Sequence, residues 1–399
     1  MESSDVDLSR HFTLQIKTLK CFGMWFYIPY SVKTFHFWLQ ILVKITLGCL
    51  VFLISTGSQL IYLINLLIIG NADIQEVAGI INLIMTELLA SLRLLDLFLR
   101  RNILTQLADQ LMSKEFQFQL KPQKQILEKA ILFSRKLFWV LITLVSVHVI
   151  VVPGLQKFEV LPLKMDLIWF DINKESYFNY VFAYQVLYKP MLLAIFVVTQ
   201  TFPWAAMCFT ISQLDVLIYN IENMKDLVKA TMAERHCDIN TAFKEVFKGY
   251  ILHHRSIIRF VNTLQNAFGA QLSSTLCLSG GIICTTAVQI FSIESPMKNI
   301  TDLIWVFAYL FIFTCNLFID CYFGNAVTVK SLHISTLVFS CPWIDLPTSL
   351  KKNLVLFIAK TQRPIVITAV KFVPVSLETF TKVMNWTYKG FAVMNQMKK

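Results

Sequence analysis

The stretch LIWVFAYLFIFTCNLFIDCYFGNAV, residues 303–327, is long and apolar enough to cross a bilayer as one helix, since about 30 Å of hydrocarbon takes roughly 20 helical residues. Six further runs of this kind flank it, at about 37–67, 74–99, 131–153, 178–210, 268–293 and 372–397. The run at 74–99 carries Glu87, Arg93 and Asp96, and the last carries Lys382 and Lys389, so these two are less apolar than the rest. Composition agrees: 56% of the 399 residues are hydrophobic and 15% charged, where soluble domains average roughly 45–50% and 25%. With 33 Phe but only 12 Gly and 11 Pro, this is the profile of long helices in lipid. The predicted fold class is an all-α membrane protein with seven transmembrane helices.

Lys and Arg in the connecting segments set the orientation. Residues 1–36 hold four, 100–136 eight, 212–265 seven and 330–371 six, twenty-five in all. On the other side, 70–73 holds none, 154–176 three, 294–302 one and the last two residues two, six in all. The excess predicts a cytoplasmic N-terminus and three cytoplasmic connections. Seven spans then place the C-terminus outside.

Smaller features fit. Residues 1–20 lack the apolar core of a cleaved signal peptide, so the first span is expected to target the chain itself. Asn299-Ile300-Thr301 is a glycosylation sequon in an expected external connection, with Asn299 the candidate acceptor. The nine cysteines all fall in spans or cytoplasmic segments, which predicts no structural disulfide, and none has metal-ligand spacing. No metal or cofactor is expected. The net charge of +11 reads as a cytoplasmic face meeting anionic lipid, not nucleic acid.

The connection 212–265 has helical periodicity in Leu214, Leu217, Ile218, Ile221, Met224 and Leu227, and again in Phe243, Val246, Phe247, Tyr250 and Ile251. It is expected to extend the fourth and fifth spans below the membrane, either for assembly or to cover the protein's own cytoplasmic face. The pair His253-His254 points about 100° apart on a helix and is expected to face cytoplasmic solvent rather than a metal. No G-x-S-x-G, H-E-x-x-H or Gly-rich phosphate loop occurs, so an enzyme is not expected.

The ordered set Cys321-Tyr322-Phe323-Gly324-Asn325, Ser331, Trp343, Leu346-Pro347, Arg363-Pro364 and Ser376-Leu377-Glu378-Thr379-Phe380 resembles the C-terminal third of insect odorant receptors. Leu161-Pro162, Trp169-Phe170-Asp171 and His254 extend the likeness upstream. The chain departs from the family at Thr387-Tyr388-Lys389-Gly390-Phe391, where Tyr-Ser-Tyr-Phe is usual. The related gustatory receptors end in Thr-Tyr, five residues, then Gln-Phe; here seven residues separate Tyr388 from Gln396, which favours the odorant branch. At 399 residues there is no room for the co-receptor's long cytoplasmic insertion, so the chain resembles the odour-tuned subunit.

The resemblance implies an odour-gated, non-selective cation channel, a tetramer with the shared co-receptor, in the plasma membrane of sensory dendrites. Four regions are then expected: a cytoplasmic segment 1–36; six spans over 37–327, joined below the membrane by 100–130 and 212–265; a cytoplasmic anchor 328–371; and a pore-lining seventh helix 372–399. Matching the C-terminus places Val393 at the hydrophobic constriction and Gln396 just external to it. Helical spacing adds Lys389 and Trp386 to the face of Val393, deeper along the pore. Lys389 would repel cations, so it either snorkels toward a subunit interface or is diluted by neutral partners in a heteromer.

The ligand is expected to be small, apolar and volatile, held within the external half of the bundle. The candidate residues are Leu83 and Glu87; Ile142, Ser146 and Val149; Tyr180, Tyr184 and Tyr188; and Trp305, Tyr309 and Ile312. For each of them the competing reading is plain helix packing. Glu87 is an intramembrane carboxylate and a functional candidate by default; protonation, or pairing with Arg93 or Lys189, is the plainer alternative. A gustatory-type receptor is the nearest rival. A secondary transporter would need an internal repeat, and only the fourth run is interrupted by proline, at Pro190 and Pro203. A G-protein-coupled receptor would need the opposite orientation.

Overall fold

The computed structural model describes residues 8–21, 42, 54–69, 73–118, 120–148, 175–293, 300–341, 347–369 and 372–397. Val149 and Asn299 lie outside these residues, as do Leu161-Pro162, Trp169-Phe170-Asp171, Trp343 and Leu346.

Helices account for nearly all of it. In chain order they are α1 (Thr13–Cys21), α2 (Ile54–Ile69), α3 (Ile74–Leu99), α4 (Arg101–Leu111), α5 (Lys121–Ser146), α6 (Glu175–Glu222), α7 (Met224–Arg235), α8 (Ile239–Phe291), α9 (Ile300–Phe339), α10 (Thr348–Thr361) and α11 (Leu377–Met397). The seven expected spans fall on α2, α3, α5, α6, α8, α9 and α11. Among the described residues α3, α6, α8 and α9 are long and apolar enough to span by themselves, and α2 is a shorter apolar helix.

Local chemistry sets the helix ends. The Asp73 carboxylate accepts the Gln75 N–H at 3.1 Å and starts α3. Asp238 does the same for α8, accepting from Asn240 and Thr241. Pro122 stands in the first turn of α5, where it withholds no needed donor. His236 adopts a left-handed conformation, φ 49°, and ends α7 before the chain reverses.

At 1.5 Å per residue, α6 and α8 run for about 70 and 80 Å, far beyond a bilayer core. Both therefore continue past the membrane at one end, here termed the basic end, where α7 turns between them. Residues 193–210 of α6 are buried on every side, which makes α6 the central post of the bundle. Its neighbours are α3, α5, α8 and α9.

Two expectations are corrected. The last helix begins at Leu377, not at 372: Val373–Pro374 instead pairs antiparallel with Thr368–Ala369. Pro374 holds the preceding residue extended, and the Ser376 hydroxyl then accepts the Thr379 N–H at 3.3 Å to open the helix. His253 and His254 are not solvent-facing; each is only 4% exposed. His253 Nε2 donates to Gln213 Oε1 at 2.9 Å, and the His254 ring lies edge-on to Phe357 at 5.4 Å.

Candidate functional site

In the half of the bundle away from the basic end, α2, α3, α6 and α9 converge on a polar point within an aromatic lining. Glu87 on α3 is 2% exposed. Its carboxylate accepts from Ser55 at 2.9 Å, Thr56 at 3.1 Å and Gln59 at 2.8 Å, all on α2, and the Tyr188 side chain of α6 lies close enough to feel its charge. A buried carboxylate is tolerated here because donors surround it. Arg93 is turned elsewhere, donating to Thr275 at 2.7 Å.

Tyr184 and Tyr188 stack in parallel, centroids 5.7 Å apart at 7°. Leu83, Val181, Met191 and Leu192 pack around Tyr188. Tyr180 is 77% exposed and does not join them.

A second wall is an aromatic ladder. His148, just beyond α5, stacks on Trp305 at 5.0 Å. Trp305 stacks on Tyr309 at 5.7 Å, and Tyr309 meets Phe313 at 4.8 Å. Phe313 meets Phe196 at 5.7 Å, and the Arg93 guanidinium sits 5.6 Å over that ring. The Tyr309 hydroxyl bonds to Thr86 and donates to the Asn82 carbonyl at 3.1 Å. Ile312 is buried, while Ile142 and Ser146 on α5 are half-buried. The structure thus draws Leu83, Glu87, Tyr184 and Tyr188 together, and Trp305 and Tyr309 along the ladder. His148 was missed in the sequence, although a lone histidine inside an apolar run is the kind of signal that marks a site.

Below the ladder lies a polar layer. Asp320 on α9 accepts from Trp204 Nε1 at 2.6 Å and from Gln200 at 3.1 Å, with Arg93 the opposite charge acting on it. Gln271 of α8 donates to the Thr199 carbonyl of α6.

The last helix, α11, packs one face on α8. Gly280 admits Val383, whose Cγ1 lies 3.3 Å from where a Cβ would stand, and Gly390 admits Cys284 Sγ at 3.2 Å. Phe291 and Phe391 meet at 4.8 Å. Small residues allow this close approach in lipid. The opposite face is uncovered: Trp386 is 76% and Val393 56% exposed, with Lys389 and Gln396 exposed beside them. The C-terminal motif residues join α9 to this helix. A Cβ on Gly324 would collide with the Val375 carbonyl, and the Ser331 hydroxyl accepts the Ile365 N–H at 2.9 Å.

Against known proteins, the family model described as 7tm odorant receptor matches residues 73–388. The chain is 29% identical to odorant receptor Or2 of Anopheles gambiae over 42% of its length and 43% of that protein. It is 26% identical to odorant receptor 10 of Aedes albopictus over 47% and 48% of the two chains. The chain therefore spans less than half the length of these curated relatives. A longer match, 20% identical over 82% of this chain and 84% of the other, is to odorant receptor 46a, isoform B, of Drosophila melanogaster. In fold it is similar to the insect olfactory receptor OR5 from Machilis hrabei, with a TM-score of 0.77 at 15% identity over 98% and 99% of the chains. The structure of that receptor in complex with eugenol is equally similar, with a TM-score of 0.77.

Proposed function

The chain belongs to the insect odorant receptor family, and on that premise we propose that it is the odour-tuned subunit of a ligand-gated, non-selective cation channel. The observation that carries this reading is the convergence of Tyr188, Glu87 and Tyr309 in one half of the bundle. Aromatic faces supply apolar contact area, while hydroxyls and a carboxylate offer a few fixed polar partners. That combination suits a small, mostly apolar volatile carrying one alcohol, phenol or carbonyl group. The similar fold solved in complex with eugenol supports a small-molecule ligand.

The basic end faces the cytoplasm, so the N-terminus lies inside and the C-terminus outside, in the plasma membrane of sensory dendrites. Four chains, including copies of the family co-receptor, assemble around one pore, with lipid outside. Residues 1–36 form the cytoplasmic start and 37–327 the six spans with the pocket. Residues 100–130, 212–265 and 328–371 form the cytoplasmic assembly region, and α11 within 372–399 lines the pore. The uncovered face of α11 supports this arrangement, because a monomer would leave Trp386, Lys389, Val393 and Gln396 largely uncovered by protein. A ring of Val393 closes the pore by dewetting, and the Gln396 ring beside it hydrates passing ions.

The test is whole-cell current in cells expressing the chain with and without an insect co-receptor, challenged with octanol, benzaldehyde, ethyl butyrate and cresol. The reading expects a rapid inward cation current that needs both chains and persists when G-protein signalling is blocked. A current that depends on G-protein signalling overturns it.

A further inference from the structure

We propose that Asn82 is the positioning residue through which the state of the pocket reaches α11, an inference that rests on the channel reading above. Asn82 is 2% exposed and sits on α3 between α8 and α9. Its backbone carbonyl holds the Tyr309 hydroxyl at 3.1 Å. Its side-chain amide is fastened to α8 at both polar ends: Nδ2 donates to Gln289 Oε1 at 3.3 Å, and Oδ1 accepts the Thr285 hydroxyl. Gln289 can approach because Gly79 has no side chain, its Nε2 lying 3.1 Å from where a Cβ would be.

One residue thus joins the ladder tyrosine to two successive turns of α8. Those turns also carry α11. Cys284, next to Thr285, fills the space left by Gly390, and Phe291, two residues past Gln289, meets Phe391 at 4.8 Å. Val393 is two residues further along. On the other side of α8, Gly281 faces the Met85 side chain of α3. Over the same stretch α3 therefore grips α8, and α8 grips α11.

The chemistry suits a switchable clasp. The Tyr309 hydroxyl already divides its bonding between Thr86 and Asn82. A ligand oxygen competing for that hydroxyl withdraws it from the Asn82 carbonyl and changes how α3 is held against α9. The amide clasp then passes this change to α8. Because each polar end is buried, a half-broken clasp costs more than one replaced wholly by apolar groups. A ligand shifts the pore only by the difference in its affinity for the two states.

The experiment expresses Asn82→Leu with the co-receptor and applies whichever of octanol, benzaldehyde, ethyl butyrate or cresol gives the parent its largest current. Currents are normalised to surface-labelled receptor, and binding of the same compound is read as a thermal shift of the purified protein. The maximal current should fall on the order of tenfold while the thermal shift is retained. The triple variant N82L/T285V/Q289L, whose clasp is apolar throughout, should recover part of the current. If N82L fails to reach the surface, Thr285→Val carries the same prediction at a half-buried position. Unchanged maximal current per receptor, or binding and current lost together, overturns the proposal. Absence of current in the unsubstituted receptor overturns the channel reading and this inference with it.

Discussion

The side-chain amide of Gln59 donates to the carboxylate of Glu87 at 2.8 Å, tying the first described span to the second at a point with no access to solvent. Ser55 and Thr56 donate to the same carboxylate, so three residues of α2 depend on one acceptor. Glu87→Leu removes every acceptor and leaves those donors buried, at a cost of about 1–3 kcal/mol for each group that finds no replacement. Glu87→Gln keeps one oxygen and costs less. Thermal unfolding of the detergent-solubilised protein should rank the parent above E87Q and E87Q above E87L.

Among the described glycines Gly324 has the tightest neighbour, the Val375 carbonyl, which occupies the place of its missing Cβ. A backbone atom cannot swing aside as a side chain can. Gly324→Ala should therefore push the segment before α11 off α9, losing roughly 1–3 kcal/mol or more. Gly280→Ala meets only side-chain atoms, Val383 Cγ1 at 3.3 Å and Thr387 Oγ1 at 3.8 Å, and should be much milder. Surface biotinylation of the two variants checks the order.

Arg93 and Asp320 are both buried, in a layer that also holds Thr275, Gln200 and Trp204. Removing one charge strands the other in a low-dielectric interior, which typically costs about 3–5 kcal/mol. Arg93→Met or Asp320→Asn alone should sharply reduce folded receptor, and R93M/D320N together should restore much of it. Additive losses in the double variant would show that the charges do not compensate each other.

Burial holds the His253 ring down to about 3 and the His254 ring to about 4, from an ordinary 6.5. The folded state keeps both rings neutral while the unfolded chain protonates them below pH 6.5, so unfolding binds protons. Stability is whole above that pH and falls as pH drops from 6.5 toward 4 for His254 and toward 3 for His253. The melting midpoint should decline over this window, and His253→Gln should flatten the decline.

Much of this architecture was legible in the sequence because lipid imposes simple rules. Apolar runs located the helices, and the periodic residues from Phe243 to Ile251 anticipated the long extension of α8. The same period continues through Tyr250, His253, Ile257, Phe260 and Leu264, all buried, so the burial of His253 was encoded there as well. Position in that stripe, and not the polarity of the residue type, sets the burial of His253. The start of α11 has no such signal, because apolarity does not distinguish a strand residue such as Val373 from a helical one. Pairings between distant helices, such as Asp320 with Trp204, have no local signal at all. The charges that made the 74–99 run look less apolar are accounted for inside the protein: Glu87 faces α2, Arg93 faces α8, and Asp96 pairs with Arg100 at 2.6 Å. The motif Gly324, Ser331 and Ser376 was readable as a family likeness, and its physical reason is the close join of α9 to α11.

Pore lining makes its own prediction. Lys389 lies on the uncovered face one turn from Val393. If that face meets ions, Lys389→Gln lifts an electrostatic barrier and should raise unitary cation conductance, while Val393→Ala should weaken the dewetted constriction and produce current without odorant. Single-channel recording separates the two effects.

The most direct test of the account is patch-clamp recording from cells that express this chain with an insect co-receptor, during fast application of octanol, benzaldehyde, ethyl butyrate and cresol. The account predicts an inward cation current that requires both chains, survives block of G-protein signalling and is altered by Val393→Ala. A response carried only through G-protein signalling, or none from receptor shown to reach the surface beside its partner, would contradict it.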